Sequence, residues 1–244
     1  MYLKYKKSRV YYKIKGLGSA VLFLHGWEGS VLSFKSQEDF ICKKHMCINL
    51  DFPPFGKSED IKEEYTLEDY FEIVKRILNK HNIKKISVVA HSFGCRVAIL
   101  LATKTNLVEK MVFTGGAGIR PKTTIKKLFR KAKYKFYKKL ARLGFVGDST
   151  LDKFFSNDYK KLSKIMKGTF KNIVNKDLTS VLQYINVPVV LFWGRKDTET
   201  PIYMAKIMHK KMIDSCLLTY EGCGHFCYLE RDFEFKQIID KFLD

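Results

Sequence analysis

The sequence predicts an α/β fold: a mostly parallel central sheet flanked by helices on both faces, with a helical cap insertion. Three observations carry this. Short continuous apolar runs recur along the chain, as in Ala20–Leu24, Ile86–Ala90 and Val187–Trp193, and such runs suit strands buried on both faces. Between them, apolar residues fall at three- and four-residue steps, the helical period. From Gly118 to about Ser180 the alternation stops and only helical spacing remains. Strand–helix alternation builds parallel sheets whose functional sites gather at the carboxyl ends of the strands.

Taken in order, Tyr2–Tyr5 and the alternating Val10–Lys15 suit an antiparallel hairpin. Buried strands follow at Ala20–Leu24, Met46–Leu50, Ile86–Ala90, Met111–Thr114, Val187–Trp193 and Cys216–Tyr220. Leu67, Tyr70, Phe71, Val74, Ile77 and Leu78 make one helical stripe, with Thr66 placed as its N-cap. Val97, Leu100 and Leu101 continue a helix after Ser92, and Phe235, Ile238, Ile239 and Phe242 mark the last one. In the insertion, Ile125, Leu128, Phe129, Ala132, Phe136, Leu140 and Leu143 form a first stripe. Tyr159, Leu162, Ile165, Met166, Phe170, Ile173 and Val174 form a second. Both read as packing faces. The division is therefore 1–117 and 181–244 for the core, with 118–180 as cap.

Length and composition bound the rest. A chain of 244 residues, 46% hydrophobic with 15 Gly and 5 Pro, suits one globular core and excludes disordered or collagen-like chains. No segment approaches the ~18 apolar residues of a membrane span, and the start, Met1 to Lys7, lacks the apolar run of a signal peptide. A cytoplasmic location is the expectation. The six cysteines need not form disulfides in a chain this long, and most lie in apolar runs. Cys223 and Cys227 flank His225, but this cluster lacks a fourth ligand. Neither a metal nor any other cofactor is expected.

Charge is the unusual term. The formal net charge is +20, and residues 118–172 hold 17 basic against 3 acidic side chains. Nucleic-acid binding is disfavoured because 37 of the 45 basic residues are Lys, and Arg is the better reader of phosphate and bases. A solvated cap face is the simpler reading, membrane-surface contact being the less favoured one.

Chemistry centres on Ala90-His91-Ser92-Phe93-Gly94. A strand ends, a helix begins, and small residues sit two positions on either side of the serine, which is the spacing of a nucleophile elbow. A lone serine here would be a helix cap. Two later fragments change that. Asp197 follows the strand ending at Trp193, and His225 follows the strand ending at Tyr220. A serine alcohol becomes a useful nucleophile when a neutral imidazole takes its proton and a carboxylate fixes the imidazole's tautomer. Finally, His25-Gly26-Trp27 ends the first buried strand, and the N–H groups of Trp27 and Phe93 would form an oxyanion hole. His25, Gly26, Ala90 and Gly94 support these parts. His91, beside the nucleophile, reads as a packing residue pointing away around the turn. Asp51 reads as a turn residue, and Glu199 reads as part of a helix start with Pro201 at its first position.

Five fragments in register carry a resemblance: His25-Gly26-Trp27, Asp51 to Ser58, Ala90 to Gly94, Gly194 to Asp197, and Gly224-His225-Phe226. The chain resembles the α/β-hydrolase fold family over nearly its whole length. It departs where Ala90 stands for the first elbow glycine and Pro54 for the glycine of the Asp-x-Pro-Gly-x-Gly loop. The resemblance implies a serine hydrolase working on a small acyl substrate through Ser92, Asp197 and His225, with carboxylic esters as the default; the basic charge of the insertion, separately, would bias the pocket entrance toward anionic substrates. Carbon–carbon bond hydrolysis, thioester cleavage and acyl transfer use the same residues and stay open. So does a different class, a binding protein or receptor on this scaffold with its triad idle.

Overall fold

The computed structural model describes residues 1–121, 133, 135–137 and 157–244. Among these, one sheet is built from β1 (Tyr2–Tyr5), β2 (Ser8–Lys15), β3 (Ala20–Leu24), β4 (Met46–Leu50), β5 (Ile86–His91), β6 (Val108–Thr114), β7 (Val189–Gly194) and β8 (Ser215–Tyr220). Their order is β1-β2-β4-β3-β5-β6-β7-β8. β1 pairs antiparallel with β2, from Tyr2 opposite Tyr11 to Tyr5 opposite Ser8, and β2 runs antiparallel to β4. Every other neighbouring pair is parallel.

The pleat sorts the apolar runs onto two faces. Leu22, Leu24, Val88, Ala90, Met111, Phe113, Leu191 and Trp193 pack on one side, against α2 (Leu67–Lys80), α3 (Phe93–Lys104) and α6 (Ile202–Lys211). Val21, Phe23, Val89, Val112, Val190 and Phe192 pack on the other, against α1 (Lys35–Ile41) and α8 (Asp232–Leu243). From β3 the chain passes to β4 on one side, and from β5 to β6 on the other. The loops leaving β3 and β5 therefore diverge and open a crevice between them. His25–Trp27 and Ser92 stand at that crevice.

Local chemistry sets the boundaries. Thr66 caps α2 in a full capping box with Asp69. β6 begins three residues before its apolar run because Val108 and Lys110 already pair with Ile86 and Ser87 of β5; Lys110 Nζ also donates to the carbonyl of Phe242 at 2.8 Å. β7 begins at Val189, after Pro188, which has no N–H to give a ladder. Pro201 is the N-cap of α6 rather than its first residue.

In the insertion, α4 (Asn157–Lys161) and α5 (Lys164–Val174) are described. Ser163 caps α5 by accepting from the Met166 amide at 3.2 Å, and α5 buries Met166, Thr169 and Ile173. Thr169 Oγ1 accepts the Tyr65 amide at 2.9 Å, which seats α5 on the segment ahead of α2. The Leu178 amide donates to the Gly118 carbonyl at 2.9 Å, so the two ends of the insertion meet. The first predicted stripe lies outside the described residues apart from Phe136, which is exposed. α7 (Cys227–Glu230) completes the fold.

Candidate active site

β5 ends at His91 and α3 begins at Phe93, which leaves Ser92 as the whole turn. Its backbone sits at φ +48°, ψ −111°, a region that costs a side-chain-bearing residue about 1–3 kcal/mol and persists only where the surroundings impose it. They do so here. The Ser92 amide donates to Thr114 O at 3.1 Å, and its carbonyl accepts from Cys95 at 3.1 Å and Ala117 at 3.0 Å. A capping serine would have extended backbone and accept a helix amide; Ser92 has neither property. Ala90 is fully buried behind the turn. Gly94 abuts the end of β3, where a methyl group would overlap the Leu24 carbonyl oxygen.

Asp197 follows β7 and is buried. Its Oδ1 accepts the amides of Glu199 at 2.9 Å and Thr200 at 2.8 Å. Its Oδ2 accepts Thr200 Oγ1 and His225 Nδ1, each at 2.8 Å. Burial alone would raise the carboxyl's pKa, but these donors hold it below its ordinary value. An ionised carboxylate only accepts, so His225 carries its proton on Nδ1 and keeps the Nε2 lone pair free. Gly115, at φ +51°, backs the ring; a Cβ there would stand 2.9 Å from His225 Nδ1.

His91 is a correction. It does not turn away: its ring centroid lies 4.7 Å from that of His225, and it also packs on Phe226 and Tyr228. β5 runs one residue further than expected, so the pleat sends His91 to the face opposite Ala90. Its role is nonetheless packing. His91 Nδ1 donates to Thr114 O at 3.0 Å, and burial, followed by the neighbouring His225, pushes its pKa down to about 3.

His25 ties the β3 loop in place. Its Nε2 accepts the Phe52 amide at 2.8 Å, so Nδ1 bears the proton and donates to Gly26 O at 2.6 Å. Burial lowers its pKa to about 4. Gly26 lets this loop cross the elbow, because a Cβ would meet His91 Cδ2 at 2.9 Å and Ser92 Cβ at 3.3 Å. Among the described residues, neither the Trp27 nor the Phe93 amide is taken by an acceptor.

Ser92, His225, Gly26, Trp27 and Phe93 line one cavity of about 570 Å³. Asp197, His25, Ala90 and Gly94 stand behind its wall. Its roof carries Phe170, Ile173 and Val174 of α5, with Ile119 and Pro121 from the other end of the insertion. The Trp27 and Phe170 rings lie 5.2 Å apart, so α5 rests directly on the β3 loop. Pro54, next to a cis Pro53–Pro54 bond, does not line the cavity, although Phe55 beside it packs on Trp27 at 5.0 Å.

Asp51 holds its own loop, accepting the Lys57 amide at 2.7 Å and the Val31 amide on its other oxygen. Glu199 is exposed at the cavity's edge. Cys223 and Cys227 are buried, and among the described residues no His, Cys, Asp or Glu cluster suits a metal ion. Also among these residues, no helix is long and apolar enough to cross a membrane. Among the cavity residues that sequence reasoning missed are Thr200 and Arg96. The Asp-x-x-Thr spacing was a usable signal for the first.

Comparison with known proteins bears on this arrangement. A family model described as alpha/beta hydrolase fold matches residues 19–179, and one described as TAP-like protein matches residues 170–244. An uncharacterised hydrolase of Bacillus subtilis is 25% identical, with 85% of this chain and 84% of the relative aligned. A 2-hydroxy-6-oxononadienedioate/2-hydroxy-6-oxononatrienedioate hydrolase of a Pseudomonas species is 21% identical, covering 86% and 81%. An esterase structure from Exiguobacterium antarcticum superposes with a TM-score of 0.75 at 21% identity, covering 96% and 95%. The first model takes in well over half of the residues, and the chain belongs to the α/β-hydrolase fold family.

Proposed function

We propose that the chain is a serine hydrolase that cleaves a carboxylic ester, or a related small acyl substrate, through an acyl-enzyme. One observation carries this reading. Ser92 is held in strained backbone with no capping bond, in the same cavity as a His225 whose Nδ1 is fixed on buried Asp197. Ser92 Oγ attacks the carbonyl carbon as its proton passes to His225 Nε2. The oxygen that becomes negative is received by the Trp27 and Phe93 amides, each such donor contributing roughly 3–4 kcal/mol. Collapse expels the alcohol, which takes the proton from His225. Water then repeats the sequence, with His225 as base and afterwards acid, and releases the acid and free Ser92. Asp197 keeps the imidazole in its tautomer and stabilises the imidazolium. Residues 118–180 serve as a cap, a role supported by Ile119, Pro121 and α5 over the cavity.

Carbon–carbon bond hydrolysis is the second reading, favoured by the name of the Pseudomonas relative. It uses the same residues on a β-diketone-like substrate. The decisive experiment is labelling by a fluorophosphonate reagent, with Ser92→Ala as control. Labelling of the wild type alone supports the serine mechanism; equal labelling of both proteins refutes it. A panel of ester, thioester and β-diketone substrates then ranks the reactions.

A further inference from the structure

Arg96 lies four residues beyond Ser92 on α3, one turn further along the same helical face. It is only 5% exposed, yet it lines the cavity. One guanidinium N–H donates to the Lys176 carbonyl at 2.6 Å. A guanidinium carries five N–H donors and cannot accept. Among the described residues Arg96 has no other hydrogen bond and no ion pair. The acid that acts on it from nearby, Asp177, is already engaged by the Thr179 amide at 3.0 Å, Thr179 Oγ1 at 2.6 Å and the Arg120 backbone. Glu28 and Glu199 stand exposed at the cavity's edge, and neither pairs with Arg96.

A buried cation without a partner is costly. Burial depresses the Arg96 pKa to about 10, which still leaves it charged at neutral pH. Much of the cavity wall is apolar, with Phe93, Ile119, Ile173, Val174 and Met204 among its lining. An anion entering this space would meet the Arg96 charge with donors that no described residue takes, in a setting where charge-assisted hydrogen bonds are strong and a planar fork matches a carboxylate.

We propose that Arg96 anchors a carboxylate carried by the substrate, so that the cavity selects small acyl compounds with an apolar body and an anionic group a few bonds from the scissile carbonyl. This rests on the serine-hydrolase reading above. Arg96 would act in specificity, holding the substrate rather than the reacting atoms.

The test uses two pairs of esters. 4-Nitrophenyl hemiglutarate and its methyl ester differ in charge on the acyl side, and 4-acetoxybenzoate and its methyl ester differ on the alcohol side. The wild type is expected to prefer the charged member of one pair by about tenfold in kcat/KM. That preference should persist at high salt, which screens exposed lysines far more than a buried Arg. In Arg96→Gln, KM for the preferred anion should rise about tenfold, with kcat little changed and the neutral ester unaffected. Arg96→Lys should fall between, keeping charge but not the fork. A wild type with no charge preference in either pair overturns the proposal, whether or not the Gln variant folds. Equal effects of Gln or Lys on charged and neutral esters also overturn it. If the wild type cleaves none of the four and resists fluorophosphonate, the hydrolase reading falls instead; cleavage of neutral esters with no anion preference sinks only the role of Arg96.

Discussion

Gly94→Ala tests whether the elbow must be seated as tightly as it is. The added methyl would overlap Leu24 O and lie 2.7 Å from the Leu24 carbonyl carbon and 2.9 Å from His25 O. Ordinary carbon–oxygen contacts lie near ~3.3 Å, and these obstacles are backbone at the end of β3, which pairs with both β4 and β5. They cannot swing aside as a side chain would. The first turn of α3 must therefore retreat by roughly half an ångström or more, carrying the Phe93 amide with it. Overpacking of this kind costs about 1–3 kcal/mol, or a fall in Tm of roughly 2–12 °C for a chain this size. With the Phe93 amide in the oxyanion role proposed for it, its displacement should cost about 10²–10³ in kcat. Thermal melting and ester kinetics on the purified variant measure both. KM should change little, because the cavity walls stay in place. A variant with wild-type kcat and wild-type Tm would refute the reasoning.

Asp197→Asn should lower kcat by about 10³–10⁴ and slow fluorophosphonate labelling in proportion, since an amide among four donors cannot hold His225 in the Nδ1–H tautomer; a loss below tenfold would count against Asp197. Acid sensitivity should follow from His25 and His91, whose pKa values are lowered by burial from 6.5 to about 4 and about 3. The unfolded chain binds these protons first, so the stability they contribute is complete above about pH 6.5 and is lost as pH falls through about 4 and then 3, about 3 kcal/mol for His25 alone. Urea titrations from pH 7 to 4 check this, and a midpoint flat over that window would contradict it.

Most of the fold and of the candidate site could be read from the sequence because both depend on where strands end. Ala20–Leu24, Ile86–Ala90 and Val189–Trp193 announce themselves by unbroken apolarity, and the residues just beyond such runs are brought to one edge of a parallel sheet. Ser92, Asp197 and His225 follow from that rule. α1 escaped notice because seven residues hardly show a helical period. Thr200 escaped because its contribution is a hydroxyl turned back on Asp197, and composition carries no direction. Arg96 carried no signal of its own in the sequence; that it points inward is set by the helix starting at Ser92 and by the return of the chain at Lys176. The side taken by His91 depended on a single extra residue of strand.

The bond between the Leu178 amide and the Gly118 carbonyl has a consequence for how such a protein can change. The 118–178 excursion leaves the sheet and rejoins it through one doorway, after β6 and before β7. Ile119 and Pro121 stand on one jamb of that doorway and Ile173 and Val174 on the other, all of them facing the cavity. Chain can thus be lengthened, shortened or exchanged beyond the threshold without shifting the register of any strand or the seat of Ser92. Ser92 and Arg96 stay with the sheet and its helix, while the apolar roof above them belongs to the part that can be exchanged.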